Sequence, residues 1–141
     1  MDKLIGYSTI NVAGKEIPLK FGCYAVNELT KHYKISLSQI YSELFTTIEI
    51  DGKKLPTPKD FFDFTAVMLW AGADYMSRKE GGSGYTVYDA FDWIDELGIS
   101  HPDLINAYGQ FFKAVENGGV PMKEPLFDDK DKKQKKSRAL A

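Results

Sequence analysis

One short phrase occurs twice in this chain of 141 residues and limits what it can fold into. Residues Ile10 to Pro18 read Ile-Asn-Val-Ala-Gly-Lys-Glu-Ile-Pro, and residues Ile48 to Pro56 read Ile-Glu-Ile-Asp-Gly-Lys-Lys-Leu-Pro. Each copy alternates apolar and polar residues, turns at Ala13-Gly14 or Asp51-Gly52, and alternates again. Alternation puts every second side chain on one face of a strand, and glycine supplies the positive φ of a tight hairpin turn. Each copy therefore predicts a β-hairpin, over about 7–19 and 47–55. The two are candidates to pair into one small sheet. They are not solenoid units, because the segments that follow them differ in length and pattern.

Between and after the hairpins the chain reads as helix. A first helix over about 21–34 carries Val26, Leu29 and Tyr33 on one stripe, with Ala25 beside it. Ser36 with Gln39 three residues on is a capping box, opening a short helix through Ile40 and Leu44. Thr57 as N-cap, Pro58 in the first turn and Asp60 near the positive end predict a long helix to about residue 78. It is the most apolar in the chain: Phe61, Phe64, Met68, Ala71, Gly72 and Tyr75 form one side, widened by Phe62, Ala66 and Leu69. Gly72 costs about 1 kcal/mol there relative to Ala, which points to close packing with a neighbouring helix. A Gly-Gly-Ser-Gly loop follows at 81–84. Thr86 and Asp89 open a helix that Gly98 closes, with Val87, Ala90, Phe91, Ile94 and Leu97 inward. The last helix runs from about 100 to 117, with Leu104, Tyr108, Phe111 and Val115 in its core stripe. The expected fold class is α+β, mainly α. It is a helical bundle with one or two small β-hairpins, comprising a single globular domain over 1–120 and a flexible, disordered, charged tail over 121–141.

Charge and composition narrow the function. Residues 128–141 carry five Lys and Arg138 against three Asp, so they are +3; residues 1–127 hold 12 basic against 17 acidic groups, or −5. An acidic body argues against nucleic-acid binding, which relies on Lys and Arg to neutralise phosphates. No apolar run approaches the roughly 20 residues that cross a bilayer. The start lacks the basic and apolar regions of a signal peptide. A lone cysteine, Cys23, forms no internal disulfide and fits a reducing cytoplasm.

Catalytic and metal chemistry find no footing. Cys23 and His32 are the only nucleophile and base close in sequence. Nine residues of helix are about 900° of turn, which points them to opposite sides. His101 beside a helix start reads as a surface or capping residue. Two isolated histidines and one cysteine do not make a metal site. Gly81, Gly82 and Gly84 follow no strand and precede no phosphate-loop lysine. Asp92, Asp95 and Glu96 read as a solvated face. The short helix near Ile40 lacks the exposed Arg that a DNA-reading helix needs. No enzyme, cofactor or metal is expected.

The aromatics say more. On the long helix, Asp60, Asp63, Asp74, Ser77 and Arg78 form a polar stripe, and at about 100° per residue Val67 and Trp70 fall inside it. Trp93 lies at the edge of the next helix's core stripe, and Tyr88 on its polar face. Val67, Trp70, Tyr88 and Trp93 are therefore the candidate partner-binding residues, since aromatics offset from a core face suggest a protein-binding or self-association surface. Cover by another helix or hairpin would explain them equally well.

With these residues the chain resembles the tail assembly chaperones of long-tailed bacteriophages. The likeness lies in Val12-Ala-Gly-Lys-Glu-Ile-Pro-Leu-Lys-Phe-Gly22 followed by Ala25-Val26-Asn27-Glu28-Leu29. It continues through Leu69-Trp-Ala-Gly-Ala73, an Asp-rich helix, a final aromatic helix and a lysine-rich end, covering roughly residues 5–120. Its motifs are a glycine turn and apolar spacing, with no chemical site. The second hairpin and the glycine-rich loop look like elaborations on the simplest members. The resemblance implies a factor in the cytoplasm of an infected or lysogenic bacterial host. Such a factor holds the long, helical tape measure protein until tail tube subunits polymerise around it, and is usually absent from the finished virion. It also implies, for many members, a longer form made by ribosomal frameshifting, to which Lys132-Lys133 and Lys135-Lys136 codons are suited; separately, the offset aromatics make a homo-oligomer a further candidate partner arrangement. The mechanism expected from the residues is reversible shielding of apolar helix faces. The alternatives are a tail structural or completion protein retained in the virion and, from a third class, a small DNA-binding regulator.

Overall fold

The computed structural model describes residues 5–117, and the expectations for the tail lie outside the described residues. In order they form strands β1 (Tyr7–Val12) and β2 (Lys15–Lys20), helix α1 (Cys23–Tyr33), a 3-10 turn (Leu37–Gln39) and helix α2 (Ile40–Leu44). Strands β3 (Phe45–Ile50) and β4 (Lys53–Pro58) follow, then helices α3 (Phe61–Lys79), α4 (Val87–Leu97) and α5 (Pro102–Asn117). The class is α+β, mainly α, as expected.

Both hairpins form, and their registers superpose residue for residue: Ile10 faces Ile17 and Ile48 faces Leu55, with two-residue turns between Val12 and Lys15 and between Ile50 and Lys53. Ala13 and Gly14 have φ of 51° and 82°, and Asp51 and Gly52 of 53° and 79°, the paired positive values of a type I′ turn. The expectation that the hairpins pair with each other is corrected. They make two separate two-stranded sheets.

Cover decides their different fates. The first hairpin lays Ile10, Ile17 and Leu19 into the core against α3 and α5, each no more than 2% exposed. The outer edge of β1 is closed by α5, where Asp103 Oδ2 accepts from Asn11 N–H at 3.0 Å and Gln110 Oε1 accepts from Gly6 N–H at 2.8 Å. The second hairpin is anchored only at its base, through buried Phe45 and Pro58; every residue from Thr46 to Leu55 is exposed.

Helix α3 runs through the centre, packed by β2, α1 and α4. Six consecutive residues, Phe64 to Leu69, are buried, which no one-sided amphipathic helix achieves. Its N-cap is Asp60, whose Oδ1 accepts from Asp63 N–H at 3.2 Å, and not Thr57, because β4 extends through Pro58 and consumes the expected cap. Gly72 does serve close packing, though against a ring preceding α1 and not a helix: a Cβ there would stand 2.8 Å from Phe21 Cε1. The expected capping boxes at Ser36–Gln39 and Thr86–Asp89 form. His101 caps α5, its Nδ1 accepting from Asp103 N–H at 3.0 Å.

Candidate protein-binding surface

The loop between α3 and α4 is held by a polar clasp and an aromatic one. Asp74 is 3% exposed, and its carboxylate accepts from Tyr24 OH at 2.8 Å, Arg78 Nε at 2.9 Å and Tyr85 N–H at 2.8 Å. Burial, helped by the bond to Asp74, pushes the Tyr24 phenol up to about 12. Trp70 Nε1 donates to Tyr85 O at 2.9 Å, and the Tyr85 ring meets Trp93 edge-on at 5.0 Å.

These contacts relocate two of the four residues expected at a partner surface. Val67 is completely buried and Trp93 only 7% exposed, so their expected offset from the core is corrected. Val67 is covered because α3 has neighbours on several sides. Trp93 is covered because the inward stripe of α4 centres on Ala90, turning Trp93 in and Phe91 out. Trp70 is half-buried, its ring 6.2 Å from His32. Tyr88 alone stands free, 83% exposed.

Other apolar side chains take the surface instead. Phe62 is 56% exposed and Phe61 partly so, their rings 5.9 Å apart at the start of α3; Phe61 also stacks on Tyr108 of α5 at 5.8 Å. Ile105, one turn before Tyr108, is 59% exposed. Phe91 joins Tyr88 on α4, and the projecting hairpin adds Ile48, Ile50 and Leu55. The sequence reading placed Phe61, Phe62 and Phe91 on core faces. The adjacency of Phe61 and Phe62, about 100° apart on a helix that also turns Phe64 inward, was the available signal that one must face out.

Other polar groups tie the elements together. Tyr33 OH donates to Asp63 Oδ2 at 2.5 Å, and burial raises its phenol pKa well above the ordinary value. Tyr108 is hydrogen-bonded to Thr65, and burial pushes it up to about 12 against the pull of that bond. Lys20 is held above its ordinary pKa by its hydrogen bond with Tyr7, and its ammonium lies 5.1 Å from the centre of the Tyr75 ring.

A shallow cleft of about 260 Å³ beside α3 is lined by Glu16, Pro18, Ala73, Ser77, Glu80, Gly82 and Tyr85; it gathers two carboxylates, with no histidine or thiol among these residues. Cys23 and His32 lie at opposite ends of α1. Among the described residues no three His, Cys, Asp or Glu side chains come together to hold a metal, and no helix is long and apolar enough to cross a membrane. Compared with known proteins, the chain matches no family model, no curated sequence and no solved structure.

Proposed function

We propose that this chain is a tail assembly chaperone of long-tailed bacteriophages. In this reading it acts by binding and not by catalysis, in the cytoplasm of the host, shielding the tape measure protein while tail tube subunits assemble. The reading is supported above all by the distribution of apolar surface: large side chains at Phe61, Phe62, Ile105, Tyr88 and Phe91 remain outside a core that is already closed by Phe64, Phe111 and Leu69. A monomer with a complete core gains nothing in stability from leaving such groups wet, so a protein partner is the natural user of them. Exposed apolar faces of a long helical protein suit such a surface, because helix-in-groove binding buries the same kinds of side chain.

Co-expression with a phage tape measure protein tests the reading. The expected result is a soluble complex where the tape measure protein alone aggregates. Stoichiometric recovery of the chain from purified virions by mass spectrometry would replace this reading with that of a retained tail subunit. Salt-dependent binding to duplex DNA would replace it with a regulator.

A further inference from the structure

We propose that the outer edge of β3 is a self-pairing edge, through which two copies of this chain form a four-stranded antiparallel sheet about a two-fold axis at Ile48. This goes beyond the chaperone reading and does not rest on it.

Hydrogen-bond phase identifies the edge. In an antiparallel pair, residues alternate between bonding their partner strand and pointing their N–H and C=O away from it. Lys59 N–H donates to Leu44 O at 2.8 Å, which fixes the phase: Thr46, Ile48 and Ile50 bond β4, while Thr47 and Glu49 point outward. On β4 the outward positions are Lys54, Pro56 and Pro58, so two of its three outward donors are missing and that edge is blunted. The first hairpin is protected too, by Pro18 at an outward position of β2 and by α5 along β1. Among the described residues, neither a proline nor a helix guards the β3 edge. Among the described residues, neither Thr47 nor Glu49 has a backbone partner beyond the hairpin, and both are exposed.

A second copy fits that edge in one register. A two-fold axis at Ile48 places Thr47 opposite Glu49 of the other copy and the reverse, so both residues' free N–H and C=O groups are satisfied. Centring on Glu49 would oppose two carboxylates, which is destabilising. Centring on Thr47 would call on the N–H of Phe45, which already donates to Tyr41 O. Across the Ile48 axis the two Ile48 side chains meet directly. The apolar strip of Ile48, Ile50 and Leu55 then runs continuously over both hairpins. An isolated two-stranded hairpin is marginal in water, and doubling it to four strands supplies the missing support. Because β4 is blunted, pairing stops at two copies and no fibre grows.

The test is sedimentation of the full chain over about 0.01–1 mM, the range in which so small an interface associates. The expected mass rises from 15.9 kDa to twice that value. Thr47→Pro removes an outward N–H while leaving the bonds to β4, and should hold the chain at a single-copy mass with its circular dichroism unchanged. Independently, Ile48→Cys should form an intermolecular disulfide under oxidised glutathione at least tenfold faster than Thr46→Cys. At the axis a non-bonded pair brings its Cα atoms to about 4.5 Å, within disulfide range. A single-copy mass throughout, a folded Thr47→Pro chain that still doubles, or equal crosslinking at 46 and 48 would overturn the proposal. If Thr47→Pro fails to fold, the two cysteine variants decide.

Discussion

Asp74 is the side chain on which the α3–α4 connection depends, and periodicity alone assigned it to a polar stripe. A helical wheel tells which way a carboxylate points; it cannot show that Tyr24 from α1 and Tyr85 from the returning loop will close over it. Asp74→Ala would strand two partly buried donors, and Arg78 is exposed enough to find water. The expected loss is therefore about 2–3 kcal/mol by denaturant unfolding, with Asp74→Asn costing less. Gly84 is coupled to the same clasp: its φ is +88° and a Cβ would stand 2.3 Å from Asp74 Oδ1. Gly84→Ala should then be destabilising on its own and show clear non-additivity with Asp74→Ala in a double-mutant cycle. Two tyrosines, Tyr24 in the clasp and Tyr108 on α5, carry an alkaline signature. Tyr24 and Tyr108 ionise near 12 in the folded chain against 10.0 for the free side chain. Between those values the folded state keeps protons that the unfolded state releases, so stability falls with rising pH. Their contribution is whole below pH 10 and is lost as pH climbs through about 12. A urea midpoint that falls over that window, and falls less in a Tyr24→Phe, Tyr108→Phe double variant, is the expected measurement.

At the level of elements, strands and turns were legible because their signals are local. Alternation fixed both hairpins, and the glycine-containing turns set both registers. What alternation could not tell was whether the apolar face would be covered. Ile10 and Ile48 occupy the same place in the same phrase, yet one is fully buried and the other 39% exposed. That difference comes from α3 and α5 and is a tertiary fact. Helix boundaries failed for a related reason: Thr57-Pro58 is a good helix start, but it is also compatible with continued pairing to Phe45 and Thr46, and the strand won. The two turns are unequal. Asp51-Gly52 matches the preference of a type I′ turn, whereas Ala13 holds a positive φ that costs a β-carbon-bearing residue about 1–2 kcal/mol. Ala13→Asn should therefore stabilise the chain by about 0.5–1 kcal/mol, read as an increased denaturant midpoint with no change in slope.

For the whole molecule, the apolar surface and the apolar core have to be separated before any of it is attributed to a partner. The sequence pointed to aromatics in excess of one core stripe, and that excess is real. It could not sort them, because α3 is enclosed on several sides and a single wheel assumes one buried face. Val67 and Trp93 went inward, Trp70 became the anchor of a loop, and Phe62 and Ile105 went outward in their place. The two groups predict opposite experimental signatures. Phe62→Asp and Tyr88→Asp alter wet side chains and should change stability by no more than about 0.5 kcal/mol. Under the proposed function they should nonetheless reduce the soluble yield of co-expressed tape measure protein, most strongly when combined. Trp93→Ala opens the core and should cost about 3–5 kcal/mol, and any loss of chaperone action should then track the unfolded fraction. If the surface pair leaves tape measure solubility untouched while the protein stays folded, shielding is not carried by these side chains, however exposed they are.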